Sequence, residues 1–348
     1  MAHFIGLDVS MKETTICVKK ECGKIIAETT RDTDPQDIAN FIQRFEDIKK
    51  IGLESGSLSH WLTRELRQIG LPAICVDAKH LSAFLSTRIN KTDRNDAEGI
   101  ADAMRANLYK EVYVKSPQAL EIKALLNTRR LLIEQTIQVK NHIRGLLKIH
   151  GIRLGVVGRK TFIDAIQEAM MNTGDLFKLT IQTALNSYQN LLKEFEVLDR
   201  AIRTIAKKEE AAKLLMTMPG IGPVTAMAYL GEIGDPNRFT DSNDVGAFFG
   251  LTPTQYSSGE INRQGAISKQ GPAYVRNLLF EAAVVMLTRT STWNNLKAWG
   301  LKIMRRHGFK KAAAAVARKI AVILHQMLIK NEKFKMSNKE KIEVQNVA

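Results

Sequence analysis

Four acidic residues stand where the sequence predicts the ends of two strands and the start of a helix. Asp8 and Glu54 each close a short apolar run and are followed by small residues, as at the edge of a strand. Asp93 and Asp96 lie three residues apart at the start of a helical pattern, a spacing that puts both on one helix face. A mixed sheet brings its strand ends together when the strands are neighbours. The sequence therefore predicts one acidic site built from three segments of an α/β domain.

The four carboxylates form a hard, all-oxygen donor set. Such ligands suit Mg²⁺ or Mn²⁺, and a pair of these ions stabilises both the attacking and the leaving oxygen of a phosphodiester. We therefore predict Asp8, Glu54, Asp93 and Asp96 as metal ligands and catalytic residues. Each of them taken alone would more often be an ordinary solvated surface group.

The first part of the chain reads as alternating strands and helices. Three short runs rich in Ile, Val and Thr are predicted strands, the last two forming a hairpin: His3 to Val9, Thr14 to Lys20 and Lys24 to Thr30. Helices are predicted from Pro35, Leu58 and Asp93, and strands at Ile48 to Leu53 and Pro72 to Val76. We expect an α/β domain with a mixed sheet over residues 1–112.

Beyond this domain the periodicity becomes helical and long. Apolar residues at spacings of three, four and seven predict one helix from about Pro117 and another from about Leu176 to Ala206, with Arg129 and Thr136 interrupting the first. Such stripes favour a coiled-coil or dimerisation region at 113–210, although packing within one chain gives the same pattern. Residues 211–335 are predicted as a mainly helical C-terminal domain, and 336–348 as a flexible tail.

The charge is concentrated in the rear of the chain. The net charge is +15, yet residues 1–110 hold 16 Lys and Arg against 16 Asp and Glu, which leaves 35 against 20 for the rest. The rear is therefore expected to bind a polyanion. No apolar run approaches the ~20 residues of a membrane span, and no signal segment is recognisable, so we expect a cytoplasmic protein without membrane contact. The three cysteines have no spacing for structural zinc or a disulfide framework.

A Pro-Gly-Ile-Gly segment between two apolar helical stretches predicts a helix-hairpin-helix. Its glycines let the backbone approach a phosphate, and the following helix offers free N–H groups and the positive end of its dipole. The predicted contacts with a nucleic-acid backbone are Pro219, Gly220, Ile221 and Gly222. A plain Gly-Pro turn between two core helices is the alternative.

A glycine-marked loop from Gly250 to Gly271 interrupts the helices of the last third. It contains Ser257 and Ser258, and the cations Arg263, Lys269 and Arg276 lie on or just after it. These cations could hold a phosphate while a serine hydroxyl attacks it, provided that a neighbouring base or metal activates the hydroxyl.

Taken in order, these motifs resemble the DEDD transposases of the insertion sequence 110 family. The resemblance covers almost the whole chain and implies an RNase H-like, RuvC-like first domain whose four acids match Asp8, Glu54, Asp93 and Asp96. It also implies a serine that links covalently to DNA; Ser258 matches best because it directly precedes a glycine, and Ser257 is the alternative. The implied partners are double-stranded DNA, a non-coding bridge RNA and further copies of the chain in a dimer or tetramer.

Two other functions fit part of the sequence. A metal-dependent endonuclease resembling a Holliday-junction resolvase would keep the carboxylates, cut by water attack and not use Ser258. A non-catalytic nucleic-acid-binding protein would use only the hairpin and the basic helices.

Overall fold

The computed structural model describes residues 1–85, 92–258 and 261–335. The chain divides into two compact units, Met1–Ser116 and Pro117–Ala348. The separation of 113–210 from 211–335 as two domains therefore stays a prediction. The predicted flexible tail, 336–348, lies outside the described residues.

The first unit is built on a five-stranded mixed sheet with the strand order β3-β2-β1-β4-β5. β1, β2 and β3 are antiparallel neighbours, whereas β4 and β5 run parallel to β1. The strands are β1 (His3–Val9), β2 (Glu13–Lys20), β3 (Ile25–Asp32), β4 (Ile48–Glu54) and β5 (Ala73–Val76). The helices of this unit are α1 (Pro35–Ile42), α2 (Ser59–Gln68), α3 (Ala78–Leu85) and α4 (Asp93–Ala106). The predicted mixed sheet with helices is confirmed.

Side-chain alternation along β1 determines what covers each face of this sheet. Ile5 and Leu7 are fully buried in a core shared with apolar residues of α1 and α2. Phe4 and Gly6 point to the opposite face, where Phe4 packs against the cluster that includes Ile100 of α4. The sheet therefore lies between α1 and α2 on one face and α4 on the other.

A buried lysine ties α4 to the sheet. Lys19 of β2 is only 4% exposed, and its Nζ lies 2.8 Å from a carboxylate oxygen of both Glu98 and Asp102 on α4. Two acids facing one buried cation satisfy its charge locally, because an unpaired ammonium would be costly to bury. The contact fixes α4 on the sheet from the side of β2.

The second unit is helical apart from one two-stranded hairpin. Its helices are α5 (Pro117–Ile149), α6 (Phe162–Ala169), α7 (Asp175–Lys208), α8 (Glu210–Leu215), α9 (Pro223–Ile233), α10 (Asp244–Phe248), α11 (Ala273–Thr288), α12 (Asn295–His307) and α13 (Phe309–Lys330), with a short 3₁₀ turn at Pro236–Arg238. The hairpin consists of β6 (Pro253–Ser258) and β7 (Ile261–Ile267). The prediction of a loop across Gly250 to Gly271 was wrong to that extent.

The two long helices α5 and α7 pack along each other, and the residues that interrupt the apolar stripe lie in their contact. Arg129 pairs with Asp199 of α7 at 2.7 Å and stacks over the ring of Phe195 at 4.8 Å. Thr136 is buried and donates its hydroxyl to the carbonyl of Leu132. Burial alone would raise the pKa of Asp199, but hydrogen bonds from Arg203 and Arg129 outweigh it and lower that pKa.

The last helix, α13, is long and apolar enough to span a membrane by length and composition. It was not predicted as such a candidate. Slightly more than half of its apolar window, 56%, is buried inside the second unit. Val316, Ile320 and Leu324 are fully buried there in the largest core of the chain. A core helix passes the same test of length and composition, and the absence of membrane contact stays a prediction.

Candidate nucleic-acid site

Asp8 and Glu54 lie side by side at the carboxyl ends of two parallel strands. In the register of β1 and β4, Leu7 is opposite Leu53, and each carboxylate is the next residue along its strand. Both residues are half-buried. The predicted meeting of these two strand ends is thus a consequence of direct pairing between β1 and β4.

Two glycines bring α4 into backbone contact with these strands. A Cβ at Gly6 would lie 2.0 Å from the carbonyl oxygen of Ala97 on α4, and a Cβ at Gly52 would lie 2.7 Å from the side chain of Met104. Alternation places Asp8 on the face of Gly6 and Glu54 on the face of Gly52. Both carboxylates therefore extend from the face that α4 covers.

The first turn of α4 carries the other two acids to the same end of that face. Asp93 is one turn before Ala97, the residue that contacts β1, and Asp96 is one turn before Ile100, which a Cβ at Gly52 would meet at 2.9 Å. Phe4, at the other end of β1, packs in the cluster of Met104 near the end of α4. The strand and the helix therefore run in opposite directions, and all four acids lie at one end of one face.

Local contacts fix where α4 begins. The Thr92 hydroxyl accepts a hydrogen bond from the amide of Asn95 at 3.2 Å, so Thr92 is the N-cap. Arg94 forms a bidentate pair with Glu28 of β3, which raises the pKa of that guanidinium. Acids in a first helical turn also favour the helix dipole, so Asp93 and Asp96 stabilise the helix that presents them. Lys91 lies outside the described residues.

The donor set fits a hard divalent cation in chemistry, since all four groups are carboxylates. The structure places them at a common end without gathering their oxygens into a ligand set. Among residues 1–85, 92–258 and 261–335, no group of three or more His, Cys, Asp or Glu side chains is arranged to hold a metal ion. The predicted metal site is therefore present as an arrangement of backbone positions, and its coordination stays a prediction.

The serine segment is the exposed hairpin of β6 and β7. All six residues of β6 are exposed, including Ser257 and Ser258 at its end. Tyr256 is opposite Arg263 in the register, so alternation puts Ser258, Tyr256 and Arg263 on one face. Ser257 lies on the other face, where its Oγ accepts a hydrogen bond from Gln255 Nε2 at 3.1 Å. Gly259 and Glu260 lie outside the described residues.

The base of the hairpin is closed by two glycines. A Cβ at Gly250 would lie 2.1 Å from the carbonyl oxygen of Gln270, and one at Gly271 would lie 2.0 Å from the carbonyl oxygen of Phe248. Both glycines also have positive φ, as has Lys269 at 55°. Arg276 donates to the carbonyls of Phe249 and Gln270 at 3.1 and 3.2 Å. The structure thus gives Arg276 a structural bond at this base, while its predicted phosphate contact stays a prediction.

The Pro-Gly-Ile-Gly segment joins α8 to α9 and packs against α11. Ile221 is 6% exposed, and a Cβ at Gly220 would lie 2.8 Å from the carbonyl oxygen of Ala282. Gly220 is therefore required for helix packing as well as for its positive φ of 88°. Gly222 has open space around its Cα and caps α9 without a side-chain hydrogen bond. Of this segment, Gly222 and the first turn of α9 are the part open to a phosphate.

Sequence reasoning missed Gly6 and Gly52 as contacts that set the height of α4. Their signal was available, because a glycine in a strand interior marks a close approach of another backbone or a bulge. It also missed the shared face of Tyr256, Ser258 and Arg263, because the segment was interpreted as a loop.

Comparison with known proteins identifies two family models and several relatives. Residues 5–152 match a model described as a transposase with a DEDD domain of the IS110 type, and residues 212–298 match the transposase IS116/IS110/IS902 family. The transposase for insertion sequence element IS1111A of Coxiella burnetii is 28% identical over 95% of this chain and 91% of its own length. The transposase for insertion sequence element IS1328 of Yersinia enterocolitica is 27% identical over 78% and 81%. A pilin gene-inverting protein of Moraxella bovis is 31% identical over 35% of this chain and 38% of its own length.

Proposed function

The chain belongs to the IS110 family of transposases, enzymes that cut and rejoin DNA, and we propose that Ser258 is its nucleophile. In the same proposal Asp8, Glu54, Asp93 and Asp96 bind a divalent cation, Mg²⁺ or Mn²⁺, at the edge of the first sheet. The protein would excise and insert its own insertion sequence. The pilin gene-inverting relative supports a recombination reaction, since inverting a gene requires cutting and rejoining of DNA.

The observation that carries the proposal is the common placement of the four carboxylates. Two come from adjacent parallel strands and two from one helical turn, all at one end of the face beneath α4. Acids that served only to solvate the surface would have no reason to share that end. A divalent cation bound there would neutralise charge on phosphate oxygens during the reaction. The carboxylates would orient it, and the surrounding sheet and helix would hold the carboxylates.

The proposed step at Ser258 conserves the phosphodiester bond energy. The serine Oγ attacks the phosphorus, the bond from phosphorus to the deoxyribose oxygen breaks, and the released oxygen takes up a proton. Attack of a strand hydroxyl on the phosphoserine then restores the serine and rejoins the DNA. Arg263 supports this role of Ser258, because its cationic side chain lies on the same face of the hairpin. Ser257 lies on the opposite face.

Finer features of the fold and partners belong to the same proposal. The order β3-β2-β1-β4-β5, with three antiparallel strands followed by two parallel ones, supports an RNase H-like, RuvC-like first domain. The turn at Gly220 supports a helix-hairpin-helix, and the pairing of α5 with α7 supports a coiled coil. The excess of 35 Lys and Arg over 20 Asp and Glu beyond residue 110 supports binding of a bridge RNA beside DNA. We also propose a homo-oligomer working in the cytoplasm.

The decisive experiment is a search for protein-linked DNA. Purified protein is incubated with the ends of its element, Mg²⁺ and RNA transcribed from the adjacent non-coding sequence, and then resolved on a denaturing gel. We expect a covalent adduct with the wild type and with Ser257→Ala. Ser258→Ala should form none, although it should still bind the DNA.

The carboxylates are tested in the same assay with Asp8→Asn and Asp96→Asn. Both should lose the adduct, whereas the matched change Asp37→Asn on α1, across the sheet, should keep it. Cleavage without an adduct, unaffected by Ser258→Ala and lost in Asp8→Asn, would refute the serine mechanism and identify a nuclease that uses water.

A further inference from the structure

A basic cleft of about 700 Å³ lies between the base of the serine hairpin and one face of α13. Four cations line it, Lys310, Lys311, Arg318 and Lys319, and none of its lining residues is acidic. Residues 264–267 of β7 and Pro253 of β6 form the opposite wall. The proposed function assigns nothing to this cleft.

The beginning of α13 is electrostatically unfavourable for the isolated protein. Lys310 and Lys311 occupy the first turn of a 22-residue helix, which has no acidic residue there and no side-chain cap. Cations at this end oppose the helix dipole, while the free N–H groups of the turn attract anions. A bound anion would relieve the repulsion of both lysines, so this end of the cleft favours a phosphate group.

The other end of the cleft combines cations with an aromatic ring. Trp299 of α12 is 37% exposed, and Lys319 Nζ lies 5.8 Å from the centre of its ring. Gly246 allows the stem of Arg318 to pack closely, since a Cβ there would lie 3.1 Å from Arg318 Cγ. A partly open indole beside phosphate-binding cations is the combination that holds unstacked bases in single-strand-binding proteins.

The cleft is continuous with the hairpin that carries the proposed nucleophile. Pro253 lines the cleft and Ser258 is five residues further along β6, a distance of roughly 17 Å at ~3.4 Å per residue. This length falls within the ~4–16-nucleotide footprint of single-strand grooves. A cavity of this volume takes groups of nucleotide size, and a duplex does not fit into it.

We propose that this cleft binds a single-stranded stretch of the DNA on which Ser258 acts, with phosphates on Lys310, Lys311 and Arg318 and a base on Trp299. This inference rests on the proposed function, because it takes DNA as the substrate. It adds a strand-holding site that keeps one unpaired strand next to the hairpin during exchange.

The test is binding of a fluorescein-labelled single-stranded oligonucleotide, followed by anisotropy across a salt series. It is made in the Ser258→Ala background, so that the chemistry cannot affect the reading. Trp299→Ala should weaken the affinity by about 5- to 150-fold, the range for loss of one stacked base, and Trp299→Phe should lose less. Trp293→Ala removes a more exposed tryptophan, 59% exposed and outside the cleft, and should change little.

Removing cleft charges should change the salt dependence in a countable way. The double change Arg318→Ala with Lys319→Ala should reduce the slope of log K against log salt by about 1.4, from ~0.7 for each phosphate contact on a single strand. The matched pair Lys207→Ala with Lys208→Ala on α7 removes the same charge and should leave most of that slope. Binding of a duplex should respond less to either cleft change than binding of the single strand.

A second measurement does not depend on how well the variants fold. A bromouracil-substituted single strand is irradiated with the Ser258→Ala protein, and mass spectrometry should place the cross-link on Trp299. Cross-links elsewhere, unchanged single-strand affinity in the Trp299 and Arg318 variants, or displacement of the strand by polyglutamate but not by DNA would overturn the cleft assignment. The adduct assay on Ser258 would stand or fall separately.

Discussion

Gly6→Ala should separate α4 from β1 and with it the two pairs of acids. The added Cβ would lie 2.0 Å from the carbonyl oxygen of Ala97 and 2.5 Å from the amide nitrogen of Ala101. Both are backbone atoms of a helix, so no side-chain rotation removes the clash. Ordinary contact begins near 3.4 Å, and the helix must therefore retreat by about 1.4 Å. Overpacking of this kind costs about 1–3 kcal/mol, and a displacement near 1 Å in an active site can cost about 100-fold in rate.

Two assays follow from this magnitude. Urea unfolding should give a midpoint decreased by about 1–3 kcal/mol of stability in Gly6→Ala, and formation of protein-linked DNA should fall by at least about 100-fold. Gly145→Ala is the control: the glycine lies within α5, has nothing within 4 Å of the added Cβ, and should become more stable by about 0.5–1 kcal/mol. Wild-type stability together with wild-type adduct formation in Gly6→Ala would refute the close contact and the placement of the acids that depends on it.

Three further predictions concern buried charges and thiols. Lys19→Met leaves two partly buried carboxylates without their cation and should cost about 3–5 kcal/mol in urea unfolding; a loss below about 1 kcal/mol would contradict that role. The lowered pKa of Asp199 means that its contribution is present above the unfolded-state pKa and is lost as pH falls through the folded one, so Asp199→Asn should flatten the acid side of the stability curve. Iodoacetamide at pH 8 should label exposed Cys22 before buried Cys17, whose pKa burial raises to about 12; equal labelling would refute the burial.

The α/β part of the fold could be predicted because its signals are local. β1 begins and ends as predicted, and α1 begins at Pro35, where a proline follows the capping Asp34. The pairing of β4 beside β1 is not a local property. It arises when α1 and the buried faces of both strands close one core, so only the structure gives the register of Leu7 with Leu53.

The hairpin of β6 and β7 could not be predicted from periodicity. Every residue of β6 is exposed, so no apolar face exists to produce an alternating pattern. What positions this hairpin is its base, where Gly250 and Gly271 bring two backbone segments together and Arg276 bonds their carbonyls. Glycine and a cation appear in sequence as ordinary loop composition, which explains why the segment was interpreted as a loop.

The arrangement of the carboxylates has a compact signature that explains its geometry. Both strands carry a glycine, a leucine and then an acid, Gly6-Leu7-Asp8 and Gly52-Leu53-Glu54, and the register places them side by side. In each, the glycine admits the helix, the leucine is buried on the other face, and the acid emerges on the helix side just beyond the contact. The glycine therefore sets the distance between the strand acids and the helix acids. An acid two residues after a strand glycine is a stronger indication of a site under a helix than the acid alone.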